Sequence, residues 1–118
     1  MKDLNKIKQE KFFRRQRRTR AQITGTTSKP RLSVFRSLLH ISAQAIDDVG
    51  KKTLVAASDK EIKAKGNKSE IAALVGELLG KKLTEKKISK IIFDKGAYKY
   101  HGRVKALADG LRKSGINF

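Results

Sequence analysis

Apolar and polar residues alternate in three short runs between Pro30 and Ser58, and this period of two limits the possible folds more than any other feature of the chain. RLSVFRS (31–37) is β-branched and aromatic and reads as a strand. HISAQAID (40–47) reads as a second, separated from the first only by Leu38 and Leu39. DVGK (48–51) is a turn with Gly50 placed for positive φ, and TLVAAS (53–58) is a third strand. Three strands joined this tightly form an antiparallel meander.

The period then changes. KEIKAKGNK (60–68) is polar, and Asn67 stands three residues before Glu70 in a variant of the capping box. Ile71, Leu74, Val75, Leu78 and Leu79 follow at helical spacing. Ala72, Gly76 and Gly80 form a second row. Each mid-helix Gly costs about 1 kcal/mol relative to Ala, so this row predicts a face lying tight on the sheet. KIIFD (90–94) reads as a short apolar strand. GRVKALADGLRKSG reads as a closing helix with Val104, Leu107, Ala108 and Leu111 inward and Gly115 near its end. The order predicts an α/β fold with a mixed four-stranded sheet: a three-stranded antiparallel meander, a helix, a fourth strand parallel to the first, and a C-terminal helix. At 118 residues the chain has room for one modest core.

Charge divides the chain. Lys and Arg number 29 against 11 acids, giving +18. The first twenty residues hold nine bases (Lys2, Lys6, Lys8, Lys11, Arg14, Arg15, Arg17, Arg18 and Arg20) against Asp3 and Glu10, a net of +7. FFRRQRRTR has five Arg in its last seven residues. Guanidinium groups fit phosphate in two-point fashion. Alone, like charges at i,i+4 repel, so this arm is expected to be disordered or a fraying helix that orders on a polyanion. ITGTTSKP (23–30) is the boundary. The chain therefore divides into a basic arm, 1–28, expected to bind a polyanion, with RNA a candidate, and a globular α/β domain, 29–118. A membrane-binding helix is disfavoured, because Leu4, Ile7, Phe12 and Phe13 form no clean stripe. No apolar run reaches spanning length, no signal-peptide core follows the start, and there is no Cys, so a cytosolic protein is the expectation.

Catalysis is weakly signalled. A meander, a helix and a fourth strand evoke metal-dependent nucleases, but Asp47, Asp48, Asp59, Glu61 and Asp94 make no compact cluster in sequence. No phosphate-binding loop, zinc-protease motif or nucleophile elbow is present, and two His would underligate a metal. No enzyme, cofactor or metal is implied. Nucleic acid suits the charge better. On the second strand His40, Ser42 and Gln44 share one face and Ile41, Ala43 and Ala45 the other; Arg31, Ser33 and Phe35 alternate likewise, and Arg36 lies near the hairpin. His40 reads equally well as a loop-edge residue with no role. In FDKGAYKYHGR (93–103), Gly96 and Gly102 permit sharp turns or close approach, Tyr98, Tyr100 and His101 offer flat polar faces, and Lys95, Lys99 and Arg103 supply charge. The bland alternative is a structural loop with Tyr packed on the core and Asp94 capping. DNA stays possible, though no helix-turn-helix, zinc finger or basic zipper pattern is present.

PRLSVFRS, HISAQ, the AAS that ends the third strand, and FDKGAYKYHGRVKALADGLRKSGINF together closely resemble the bacterial L18 family of large-subunit ribosomal proteins, the 5S rRNA binders. The resemblance covers nearly the whole chain, and YHGRVKALAD is its most specific part. It implies binding to 5S rRNA, attachment through it to 23S rRNA in the central protuberance, and contact with the neighbouring 5S-binding ribosomal protein. It implies RNA contacts in the arm (Lys11 and Arg14, Arg15, Arg17, Arg18, Arg20), around Arg31, Arg36, His40 and Gln44, and at Lys95, Tyr98, Tyr100, His101 and Arg103. Ser42 departs from a commoner Tyr, and Lys95 and Ala97 from Arg and Gly. A general basic nucleic-acid-binding protein is the alternative reading, and a nuclease of related fold the most distant one.

Overall fold

The computed structural model describes residues 4–118; Lys2 and Asp3 of the arm lie outside them. The element order is α1 (Leu4–Arg20), β1 (Arg31–Arg36), β2 (Ile41–Asp47), β3 (Lys52–Ser58), a 3-10 turn (Asp59–Glu61), α2 (Lys68–Glu85), β4 (Ile92–Asp94) and α3 (Arg103–Lys113). The sheet order is β3-β2-β1-β4, with β4 parallel to β1 and the other pairs antiparallel. This is the predicted mixed sheet. The two-residue connection also holds, with the Ser37 amide donating to the His40 carbonyl at 2.9 Å across Leu38 and Leu39. The basic segment before residue 21 is helical.

Alternation decides which face is buried. Leu32 and Val34 of β1, Ile41, Ala43 and Ala45 of β2, and Val55 and Ala57 of β3 meet Val75, Leu79 and Leu83 of α2 and Val104, Leu107 and Leu111 of α3 in one core. Asn67 caps α2, its side chain accepting from the Glu70 amide at 2.8 Å while the Glu70 carboxylate accepts from the Asn67 amide at 3.2 Å. Such a cap satisfies donors that the first turn would leave unpaired.

Three local expectations change. Gly50 does not take positive φ; Lys51 does, at 54°. Gly50 is small for another reason: the Asp47 carboxylate folds over it, accepting from the Val49 and Gly50 amides, and a Cβ there would meet that carboxylate at 2.7 Å. The apolar strand predicted over 90–94 shortens to 92–94. Lys90 instead pairs with Asn117, and Asp94 ends the strand by turning its carboxylate to the Gly96 amide at 2.8 Å. The glycines of the small-residue row of α2 lie on α3 and the residues just past it, Gly76 at Leu107 and Gly80 at Ser114, not on the sheet. A Cβ at Gly76 would collide with the Leu107 carbonyl, and one at Gly110 of α3 with the Ala73 carbonyl. The two helices therefore touch backbone to backbone. Gly76→Ala gains about 1 kcal/mol of helix propensity but forces backbones apart, an overpacking cost of about 1–3 kcal/mol. The expected outcome is a lower urea midpoint with an unchanged m-value; an equal or higher midpoint would show that the helices separate freely.

Candidate nucleic-acid interface

The sheet face opposite the core carries Arg31, Ser33 and Phe35 on β1, set across from Ile46, Gln44 and Ser42 on β2. The pleat places them there, since their neighbours in sequence fill the core. His40 stands exposed at the head of the same row. At the β4 side, residues 95–102 turn across the end of the sheet before α3 begins. Gly96 and Gly102 both take positive φ, 64° and 57°, as the loop reverses.

α1 docks beside this loop. Phe12 meets the Tyr98 ring edge-on at 5.7 Å, and the Thr19 hydroxyl donates to the Gly96 carbonyl at 2.9 Å. Arg20 closes the attachment, donating to Asp48 at 3.0 Å. The predicted arm residues Lys11, Arg14, Arg15, Arg17 and Arg18 all point to solvent, and none is ion-paired with another described residue. The acids, in contrast, are largely spent internally: Asp48, Glu61, Glu77, Asp94 and Asp109 each hold a Lys or Arg, and Asp59 lies against the His40 ring. The surplus positive charge is thus free on the surface and strongest along α1.

Other predicted contacts are committed to the fold. Arg31 spans two carboxylates, reaching Asp48 from Nε at 3.1 Å and Asp94 from Nη1 at 2.9 Å. Burial alone would lower the Arg31 pKa, but its hydrogen bonds to Asp48 and Asp94 outweigh this and raise it above the usual value. The same Arg31 hydrogen bond is the main cause holding Asp48 below the ordinary carboxylate range, helped by the Gly25 amide at 2.7 Å. Asp47 is also held low, first by the Thr27 hydroxyl at 2.6 Å and then by the Gly50 amide. Tyr98 is pinned: its hydroxyl donates to the Arg36 carbonyl at 3.0 Å and lies 3.2 Å from the Arg36 amide, while the Arg36 guanidinium covers its ring at 5.1 Å. Tyr98 and Asp94 accordingly take the structural places of the bland alternative. Lys95 donates to the Tyr98 carbonyl at 3.3 Å, and Arg103 to the Ser37 carbonyl at 2.8 Å, tying α3 to the hairpin. Tyr100 sits edge-on to Phe93 and accepts from Arg112 at 3.1 Å. His40 lies 2.9 Å from Asp59 through Nδ1, Gln44 accepts from Thr53 at 3.4 Å, and His101 is exposed.

The structure thus gathers the arm, the open sheet face and the 95–103 loop on one side. Asp48 is the organiser that sequence reasoning missed; it reads as an ordinary turn residue until Gly25, Arg20 and Arg31 converge on it. Asp48 and Asp94 are brought together, but around a guanidinium. Among the described residues no group of three or more His, Cys, Asp or Glu is placed to hold a metal ion. No described helix is long and apolar enough to cross a membrane.

Residues 6–118 match the family described as ribosomal L18 of archaea, bacteria, mitochondria and chloroplasts. The chain is 54% identical over 110 residues to the large ribosomal subunit protein uL18 of Alkaliphilus metalliredigens, covering 88% of this chain and 89% of that one. It is 53% identical over 116 residues to the protein of the same name from Thermotoga petrophila, covering 94% and 95%. The Clostridium perfringens protein is 54% identical over 107 residues, covering 89% and 90%.

Proposed function

Because the chain belongs to the ribosomal L18 family of the large subunit, we propose that it binds 5S rRNA and helps attach it to 23S rRNA in the central protuberance, beside the neighbouring 5S-binding ribosomal protein. Family membership makes rRNA and ribosomal proteins its partners, and the cytoplasmic ribosome its place. Its role in this reading is structural: it neutralises and orders RNA and transforms no substrate. Residues 1–28 act as the RNA-binding arm and 29–118 as the globular domain.

One observation carries the reading. Arg14, Arg15, Arg17 and Arg18, unpaired among the described residues, line the helix next to an open sheet face where Arg31 is balanced by Asp48 and Asp94. The arm supplies counterion release, which is strong but indifferent to sequence. The folded face (Gln44, His40, His101 and the loop) reads shape through phosphate and 2′-hydroxyl contacts. Arg31 and Tyr98 serve by holding that face in place.

The test is a competition titration of labelled 5S rRNA against a structured RNA of similar length at several salt concentrations. Preference for 5S rRNA that survives physiological salt is expected. Equal binding to both, collapsing with salt, would reduce the protein to a general polyanion binder.

A further inference from the structure

A cleft of about 630 Å³ runs between α1 and the open sheet face. Phe13, Gln16, Arg17 and Arg20 line one wall at i, i+3, i+4 and i+7, the spacing of a single helix face. Arg31, Ser33 and Phe35 line the other at i, i+2 and i+4, the spacing of a single strand face. The inner end is closed, because Arg20 and Arg31 meet on the same Asp48 carboxylate at 3.0 and 3.1 Å. The outer end is aromatic: Phe13 is 50% exposed and Phe35 61% exposed. Two exposed phenyl rings on a chain with only seven aromatic residues invite a flat partner. Between the rings and the closed end, the side chains of Gln16 and Ser33 make no hydrogen bond to any other described residue.

We propose that this cleft takes one unpaired RNA base, stacked on Phe35 and Phe13, with its edge toward Gln16 and Ser33 and its phosphate on Arg17. The inference rests on the RNA-binding reading and deepens it. Charge selects the occupant: among the described residues Arg17 is an unpaired rim cation, and the only acid lining the cleft, Asp94, is held by Arg31 and the Gly96 amide. An apolar protein side chain would leave Gln16, Ser33 and Arg17 without partners. A base satisfies rings, amide, hydroxyl and cation together.

The test titrates the full-length protein with a short oligoriboadenylate and with an abasic oligomer of the same length and charge, at physiological salt. Stacking of one base predicts a preference of about tenfold for the oligomer that bears bases. Phe35→Leu should abolish that preference and Phe35→Tyr should keep it. The salt slope should stay unchanged in both, and so should the melting temperature, because the ring is largely exposed. Equal affinity for the two oligomers, or a preference that survives Phe35→Leu together with Phe13→Leu, overturns the inference and leaves the cleft to an apolar protein partner. Binding to neither oligomer while 5S rRNA is still bound also overturns it. Failure to bind 5S rRNA at all would instead refute the underlying RNA reading.

Discussion

Replacing Arg14, Arg15, Arg17 and Arg18 by Ala together is expected to flatten the salt dependence of rRNA binding by about three units of log–log slope, at roughly 0.7–0.9 per lost phosphate contact. All four side chains are exposed and hold no acid among the described residues, so the variant should melt like the parent. α1 should also stay docked, because its attachment runs through the side chains of Phe12, Thr19 and Arg20, which the variant keeps. Affinity at physiological salt should fall by orders of magnitude. The ratio of 5S rRNA affinity to that for an unrelated structured RNA should change little, since the arm contributes counterion release rather than shape recognition. The measurement is a set of binding isotherms across a salt series. An unchanged slope would mean that α1 does not lie on RNA, and a collapsed ratio would mean that the arm itself reads the RNA.

Arg31→Ala is expected to be the most destabilising single substitution on the open face. The Arg31 side chain is 12% exposed, and among the described residues it alone is ion-paired with Asp94, whose side chain is 5% exposed. Removing one partner of a buried ion pair leaves uncompensated charge and costs about 3 kcal/mol, the lower part of the usual range because Asp48 keeps Arg20 and the Gly25 amide. A melting temperature lower by roughly 10–15 °C follows. Arg31→Lys should recover only part of this, since a single ammonium cannot bridge two carboxylates in the planar geometry of the fork. Adding Asp94→Asn to Arg31→Ala should recover more. Full stability in Arg31→Ala would show that the hub is incidental.

The same hub fixes the acid limb. Asp47 and Asp48 titrate below their ordinary value in the folded chain. Their contribution is therefore fully present above the unfolded carboxylate pKa, near 3.8, and is lost as pH falls through the lower folded values. Urea midpoints should stay flat from about pH 7 to 5 and drop below about 4. Arg31→Ala removes the largest cause of the Asp48 depression, so its acid limb should be shallower.

Much of this architecture is written locally. A period of two from Arg31 to Ser58, a capped period of 3.6 from Asn67, and a density of Arg too high for a compact domain determine strands, helix and arm, because each depends on neighbours within a few residues. The faces of the sheet follow too: once Leu32, Val34, Ile41, Ala43 and Ala45 go inward, Ser33, Phe35, Ser42 and Gln44 must go outward. Family resemblance likewise rests on contiguous residues such as YHGRVKALAD. Tertiary structure alone decided which charged and aromatic groups remain free. Arg31, Tyr98 and Arg103 look as available in sequence as Arg14 or His101, yet their donors and rings are taken by Asp48, Asp94, Arg36 and Ser37. Gly76 and Gly80 signal close approach without naming the partner, which proved to be the α3 backbone at Leu107 for Gly76 and Ser114, just past α3, for Gly80. Such pairings join residues tens of positions apart, and no local period encodes them. The cleft between Phe13 and Phe35 is closed at its inner end because Arg20 and Arg31, eleven positions apart, meet on one carboxylate.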